Sequence, residues 1–149
     1  MRLKERIQTE LTNPIHQINT ELVVTAETSK RMSFSALVKK LDKMNYYVNY
    51  ELLGRRFMKQ PNRRIGMYCF QEYGDIHQLT HSHILLRIPL EHNTDHVIKL
   101  MNEGFNALDD RQDKLFKVYK ETADDVIGNA IYSSKNLKDN YKDSEFVVL

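Results

Sequence analysis

Cysteine is nearly absent: Cys69 is the single one in 149 residues, so no internal disulfide can form. A chain of this length buries an ordinary core without such a staple. Cys69 lies in an apolar strand context and is expected to be a small core residue. Long hydrophobic runs are missing too. No stretch approaches the roughly 18 apolar residues needed to cross a bilayer, and the N-terminus has no apolar centre of the kind a secretion signal carries. The chain is therefore expected to be soluble and intracellular, with no membrane partner. Internal repeats, low-complexity tracts and obvious linkers are also lacking, which reads as one domain over residues 1–149. Residues 1–20 form its N-terminal helix or arm, interrupted at Asn13-Pro14.

The excess of one charge sign is small, at a net +2, but the basic residues are unevenly placed. Arg55, Arg56, Lys59, Arg63 and Arg64 fall within ten residues that hold no acid, with Phe57, Met58 and Pro61 between them. Such a segment can track a phosphate backbone. It reads equally as a solvated basic loop.

The apolar pattern predicts the elements. Residues 21–28 (ELVVTAET) are β-branched and short, as in a buried strand. Ser33 caps a helix whose positions Phe34, Leu37, Val38, Leu41 and Met44 follow helical spacing, continuing through Val48 and Leu52 to Gly54. After the basic segment come two strands, 64–73 and 80–88, joined as a hairpin centred between Ile76 and His77. A second helix starts at Asn93 or Thr94 and carries Val97, Met101, Phe105 and Leu108 along one stripe. Residues 114–121 (KLFKVYKE) alternate like a strand, and Thr122-Ala123-Asp124-Asp125 resembles a capping box opening a third helix to about residue 137. Residues 146–149 close the chain as an edge strand. The expected fold is α+β, a central antiparallel sheet of about five strands with packed helices, of the ferredoxin-like kind.

The hairpin holds the most informative residues. Antiparallel pairing in that register sets Glu72 opposite His81 and Phe70 opposite His83, and directly opposed residues share a face. One face then carries Arg64, Gly66, Tyr68, Phe70, Glu72, His81, His83, Leu85 and Arg87. The other carries Ile65, Met67, Cys69, Gln71, Ser82, Ile84, Leu86 and Ile88, mostly apolar as a helix-covered face should be. Glu72, His81 and His83 are thus a candidate ligand set, although solvated or hydrogen-bonded sheet residues would give the same pattern. Tyr68 and Phe70, with Arg64 and Arg87, read as a half-exposed surface on which nucleic-acid bases can stack.

A second constellation sits on the last predicted helix. Tyr132 and Lys135 are three residues apart and therefore neighbours on its surface. Gly128, one turn earlier, leaves room for a ligand to approach. A surface tyrosine is ordinarily packing or solvated. It attacks a phosphodiester when a metal polarises the phosphate, and two imidazoles with one carboxylate hold a divalent ion while leaving positions open for substrate oxygens. Lys135 would then orient the phosphate or stabilise its transition-state charge.

Glu72 with His81-Ser82-His83-Ile84-Leu85-Leu86, followed by Tyr132-Ser133-Ser134-Lys135, resembles the HUH single-strand DNA endonucleases, especially the initiators of rolling-circle replication. Val23-Val24-Thr25-Ala26-Glu27-Thr28 is loosely similar to their first motif. The middle position of the histidine pair is usually hydrophobic in that family and is Ser82 here. The resemblance spans roughly residues 21–137. It implies an RRM-like sheet and a divalent ion, Mg²⁺ or Mn²⁺, on Glu72, His81 and His83. It further implies Tyr132 as the nucleophile, forming a 5′-phosphotyrosine, with Lys135 as its helper. Tyr141 is nine residues beyond Tyr132, too far for the adjacent pair of two-tyrosine initiators, so one nucleophile is expected.

The function so implied is nicking and joining of single-stranded DNA at an origin or hairpin, starting rolling-circle replication of a phage, virus or plasmid. The setting would be the bacterial cytoplasm for a phage or plasmid and the host cell otherwise. The sequence lacks a helicase-like phosphate-binding loop, so unwinding is expected from a partner or from a longer parent polypeptide, with a host helicase and polymerase as the expected partners. Two alternatives remain. One is a single-strand DNA transposase of the same superfamily, although those typically carry glutamine near the tyrosine where this chain has Lys135. The other is a non-catalytic module that binds a single strand.

Overall fold

The computed structural model describes residues 19–28, 31–73, 79–106, 118–120 and 146–149, together with Glu5 and Thr9. It has the elements β1 (Asn19–Glu27), α1 (Phe34–Leu53), a 3-10 turn (Phe57–Lys59), β2 (Gly66–Tyr73) and β3 (Thr80–Pro89). These are followed by α2 (Thr94–Asn106), β4 (Val118–Lys120) and β5 (Phe146–Val148). The strands form one sheet in the order β4-β1-β3-β2-β5, and every pairing is antiparallel. The class is α+β, as expected. Because β1 and β2 both run against β3, they are parallel to each other, and α1 joins them across the strand between. Likewise β3 and β4 flank β1. The hairpin connection (74–78), the expected third helix and the N-terminal arm lie outside the described residues, apart from Glu5 and Thr9.

Local chemistry accounts for α1. The Ser33 side chain accepts from the Ala36 amide at 3.1 Å, satisfying one of the first-turn donors that has no partner in the helix. At the other end Gly54 stops the helix at φ 75°, its amide donating to the Tyr50 carbonyl at 2.8 Å. A Cβ there would meet nothing within 4 Å, so the positive φ, and not space, favours glycine.

The predicted stripe faces inward. Leu37, Leu41, Met44 and Val48 of α1 meet Val97, Met101 and Phe105 of α2 in one cluster with Leu22, Val24 and Ala26 of β1, Met67 and Cys69 of β2, and Ile84, Leu86 and Ile88 of β3. Burial pushes the Cys69 thiol up to about 12, in keeping with an inert core residue. Each of these aliphatic side chains contributes about 1.5–3 kcal/mol by leaving water. Lys40, on the same helix, sets its ammonium 4.2 Å from the Phe105 ring centre.

One buried polar residue ties α1 to the sheet. Asn49 accepts from the Ile65 amide at 2.7 Å and donates to the Ile65 carbonyl at 3.3 Å and the Asn45 carbonyl at 3.0 Å. It fixes where β2 begins, and with it both ends of the basic segment 55–64.

Candidate metal centre

The expected register is the observed one: Glu72 pairs with His81 and Phe70 with His83. Alternation then sends Glu72, His81 and His83 to the face away from the helices. On the helix side of the same strands Ser82 donates to Gln71 at 2.5 Å, both buried. Ser82, which departs from the family pattern, therefore points away from the triad.

The three side chains converge. One oxygen, Glu72 Oε1, is bonded by His81 Nε2 and by His83 Nε2, the latter at 2.7 Å. The imidazole rings stand nearly perpendicular, 88° apart, with centres at 5.2 Å. Side-chain exposures of 21% for Glu72, 14% for His81 and 28% for His83 leave the group half-sheltered but reachable. The His81 and His83 bonds hold the Glu72 carboxyl well below the usual carboxylate range, outweighing the desolvation that would raise it. The Glu72 bond raises His81 in turn, and burial opposes it only partly; a hydrogen bond to the Leu79 backbone and the charge of Glu27 push the same way.

The pairing of β1 with β3 adds two residues. It places Thr25 opposite His83 and Glu27 opposite His81. Thr25 Oγ1 lies 3.3 Å from His83 Nδ1. A hydroxyl can donate or accept. It can therefore serve the tautomer that bonds Glu72 through a protonated Nε2, and equally the one that frees the Nε2 lone pair for a cation. Among the described residues Glu72, His81 and His83 are the group whose ligand atoms, one per residue and all within 4.8 Å of one another, could hold a metal. Two neutral imidazoles and a carboxylate suit a divalent cation of the Mg²⁺–Mn²⁺–Zn²⁺ range. The donor set fits.

Around the triad, Thr80 accepts from the Met32 amide at 2.9 Å and donates to the Met32 carbonyl at 2.6 Å, while its own carbonyl takes the Thr28 amide at 3.0 Å. The β1–α1 connection is thereby tied to the start of β3, beside His81. Tyr73, next to Glu72, stacks on Phe34 at 4.5 Å with the Arg31 guanidinium 4.4 Å from its centre.

No protein-family model, no curated protein and no solved structure matches this chain.

The other expected site residues fare unevenly. Tyr132 and Lys135 lie outside the described residues. Arg55, Arg56 and Lys59 are exposed around the 3-10 turn. Arg63 is exposed as well, but forks onto Glu91 at 3.0–3.1 Å, which raises the guanidinium and lowers the carboxyl. Arg64 donates to Met58 Sδ at 3.5 Å. Arg87 lies across Gly66, where a Cβ would come within 3.0 Å of the guanidinium, so the bare backbone is its seat. Tyr68 and Phe70 correct the expectation of a half-exposed base-stacking surface: they are only 7% and 2% exposed. Their polar-face position did not leave them open, and Leu85 on the same face is buried with them at 4%.

Thr25 and Glu27 had no assigned role in the ligand set. Their parity along β1 is visible in the sequence, but which strand stands beside β3 is not. Among the described residues no helix is long and apolar enough to cross a membrane.

Proposed function

We propose that this protein is a metal-dependent endonuclease that nicks and rejoins single-stranded DNA through Tyr132, acting as an initiator of rolling-circle replication. The observation that carries the reading is the convergence of Glu72, His81 and His83 on one another across the β2–β3 pair. The strand order β4-β1-β3-β2, with its two split crossovers, also supports a ferredoxin-like, HUH-type sheet. Tyr132 and Lys135 enter through the sequence resemblance alone.

Glu72, His81 and His83 would hold the ion, Mg²⁺ or Mn²⁺. Such an ion polarises a phosphodiester and offsets the charge developing on its oxygens. In the reaction, the Tyr132 hydroxyl oxygen forms a bond to phosphorus as the bond to the 3′-oxygen breaks. The phenol proton ends on that oxygen, giving a 5′-phosphotyrosine and a free 3′-OH. The exchange is one ester for another, so attack by a 3′-OH in the reverse direction rejoins the strand. Lys135 places its ammonium by the phosphate. Arg87 supplies a second cation on the triad's own face, four residues or about 13 Å along β3 from His83. A helicase and polymerase from the host would complete replication inside the cell.

The test is covalent capture. Single-stranded oligonucleotides with Mn²⁺, run on denaturing gels, should give a shifted protein band that Tyr132→Phe eliminates and that His81→Ala with His83→Ala abolishes. Absence of any adduct across a randomised oligonucleotide pool would sink the reading.

A further inference from the structure

Away from the triad, α1 carries an aromatic shelf. Tyr46 and Tyr50 stack at 6.1 Å with planes 14° apart, and Phe57 meets Tyr46 edge-on at 5.1 Å. Tyr46 and Tyr50 remain 58% and 38% exposed although these contacts hold their rings in place. Tyr47, between them in sequence, is drawn instead toward α2, where its hydroxyl donates to Glu103 at 3.2 Å. The three tyrosines line an open cavity of about 390 Å³, with Asp42 and Lys43 at its rim. Phe57 is the buried anchor of the 3-10 turn and meets Tyr46, and the exposed Arg55, Arg56 and Lys59 lie within two residues of it in the chain.

We infer that the Tyr46–Tyr50 shelf, together with Arg55, Arg56 and Lys59 beside Phe57, is a second binding surface for single-stranded DNA, separate from the metal centre. The inference rests on the endonuclease reading for the identity of its ligand. Ordered, exposed rings offer flat faces to unpaired bases, and nearby cations attract the phosphates between them. A second copy of the chain is the poorer occupant. A two-fold contact here would gather Arg55, Arg56 and Lys59 of both copies in one interface, concentrating like charge. The location also suits a long ligand. The basic segment enters β2 at Gly66, six residues or about 20 Å along the strand from Glu72, and α1 covers the opposite face of the sheet. A strand cut at the triad would be held there some distance from the cut.

The experiment measures anisotropy of fluorescent oligothymidines of about six and about thirty nucleotides, bracketing typical single-strand site sizes, in EDTA so that no cleavage intervenes. Paired Tyr46→Ala and Tyr50→Ala changes should weaken binding of the long oligomer about tenfold or more, and that of the short one less. Tyr46→Phe with Tyr50→Phe, which keeps the rings, should retain wild-type binding. Replacing Arg55, Arg56 and Lys59 by Ala should reduce the log–log salt slope by about two. Circular dichroism checks that each variant is folded. Unchanged affinity for the long oligomer in both alanine variants overturns the inference. So does a wild-type dimer that the tyrosine changes convert to monomer. Adduct formation with Mn²⁺ in the same preparations separates the two readings: adduct with unchanged binding removes only the shelf, and shelf-dependent binding without adduct removes only the endonuclease.

Discussion

Thr25→Val isolates what orients His83 in the candidate metal centre. Valine matches threonine in shape and is at least as well suited to a strand, so the change removes one hydroxyl from β1 and little else. His83 Nδ1 then loses its 3.3 Å partner, while Nε2 keeps Glu72. Outer partners of metal-binding histidines typically contribute ten- to hundredfold in affinity by fixing the ring and its tautomer. At 3.3 Å this bond is just beyond the usual range for N–H···O, which places the expected loss near about tenfold, or about 1.4 kcal/mol. Calorimetric or electron-spin titration with Mn²⁺ reads it directly, and thermal melting of the metal-free protein should change little. Thr25→Ser, which keeps a hydroxyl, should recover most of the affinity. If Thr25→Val binds Mn²⁺ as tightly as wild type, or the serine variant is as weak as valine, the hydroxyl does not orient His83.

Metal-free stability should depend on pH through the same pair. The lowered Glu72 carboxyl adds stability above its ordinary value of 4.5 and loses it as pH falls through the depressed one, whereas raised His81 adds stability below 6.5 and loses it as pH rises through its folded value. Melting in EDTA should show the pair's contribution greatest between 4.5 and 6.5, and saturating Mn²⁺ should stabilise increasingly as pH rises through the raised His81 value and the imidazole proton no longer competes; a Mn²⁺ effect strongest in acid would contradict this. Asn49→Ala strips the partner from the buried Ile65 amide and one of two donors from the Ile65 carbonyl, which keeps Asn45 at 3.3 Å, and should cost about 2 kcal/mol in urea unfolding, against no measurable change if water replaces the amide. Gly66→Ala should displace the flexible end of Arg87 at little cost in stability, weakening oligonucleotide binding while sparing Mn²⁺ affinity. Arg63→Ala should affect DNA binding less than Arg56→Ala, because Glu91 already engages the Arg63 guanidinium; equal losses would show the pair opening for phosphate.

The sequence by itself determined most of the described elements and much of the triad. Helical spacing from Phe34 onward and the Ser33 and Gly54 signals mark α1, because capping and periodicity are local effects. Period-two alternation in the hairpin separated Met67, Cys69, Ile84 and Leu86 from Glu72, His81 and His83, since a strand cannot place neighbours on one face. What lies beside the hairpin was not legible. Strand adjacency is a non-local choice, so Thr25 against His83 and Glu27 beside His81 came only from β1 docking on β3. Exposure is likewise a property of the assembled tertiary structure: the same alternation that put Tyr68 and Phe70 on the polar face gave no sign that they are buried there. The tertiary structure also decided which cations stay open, since an exposed guanidinium such as Arg63 is committed once a carboxylate 28 residues away comes within reach.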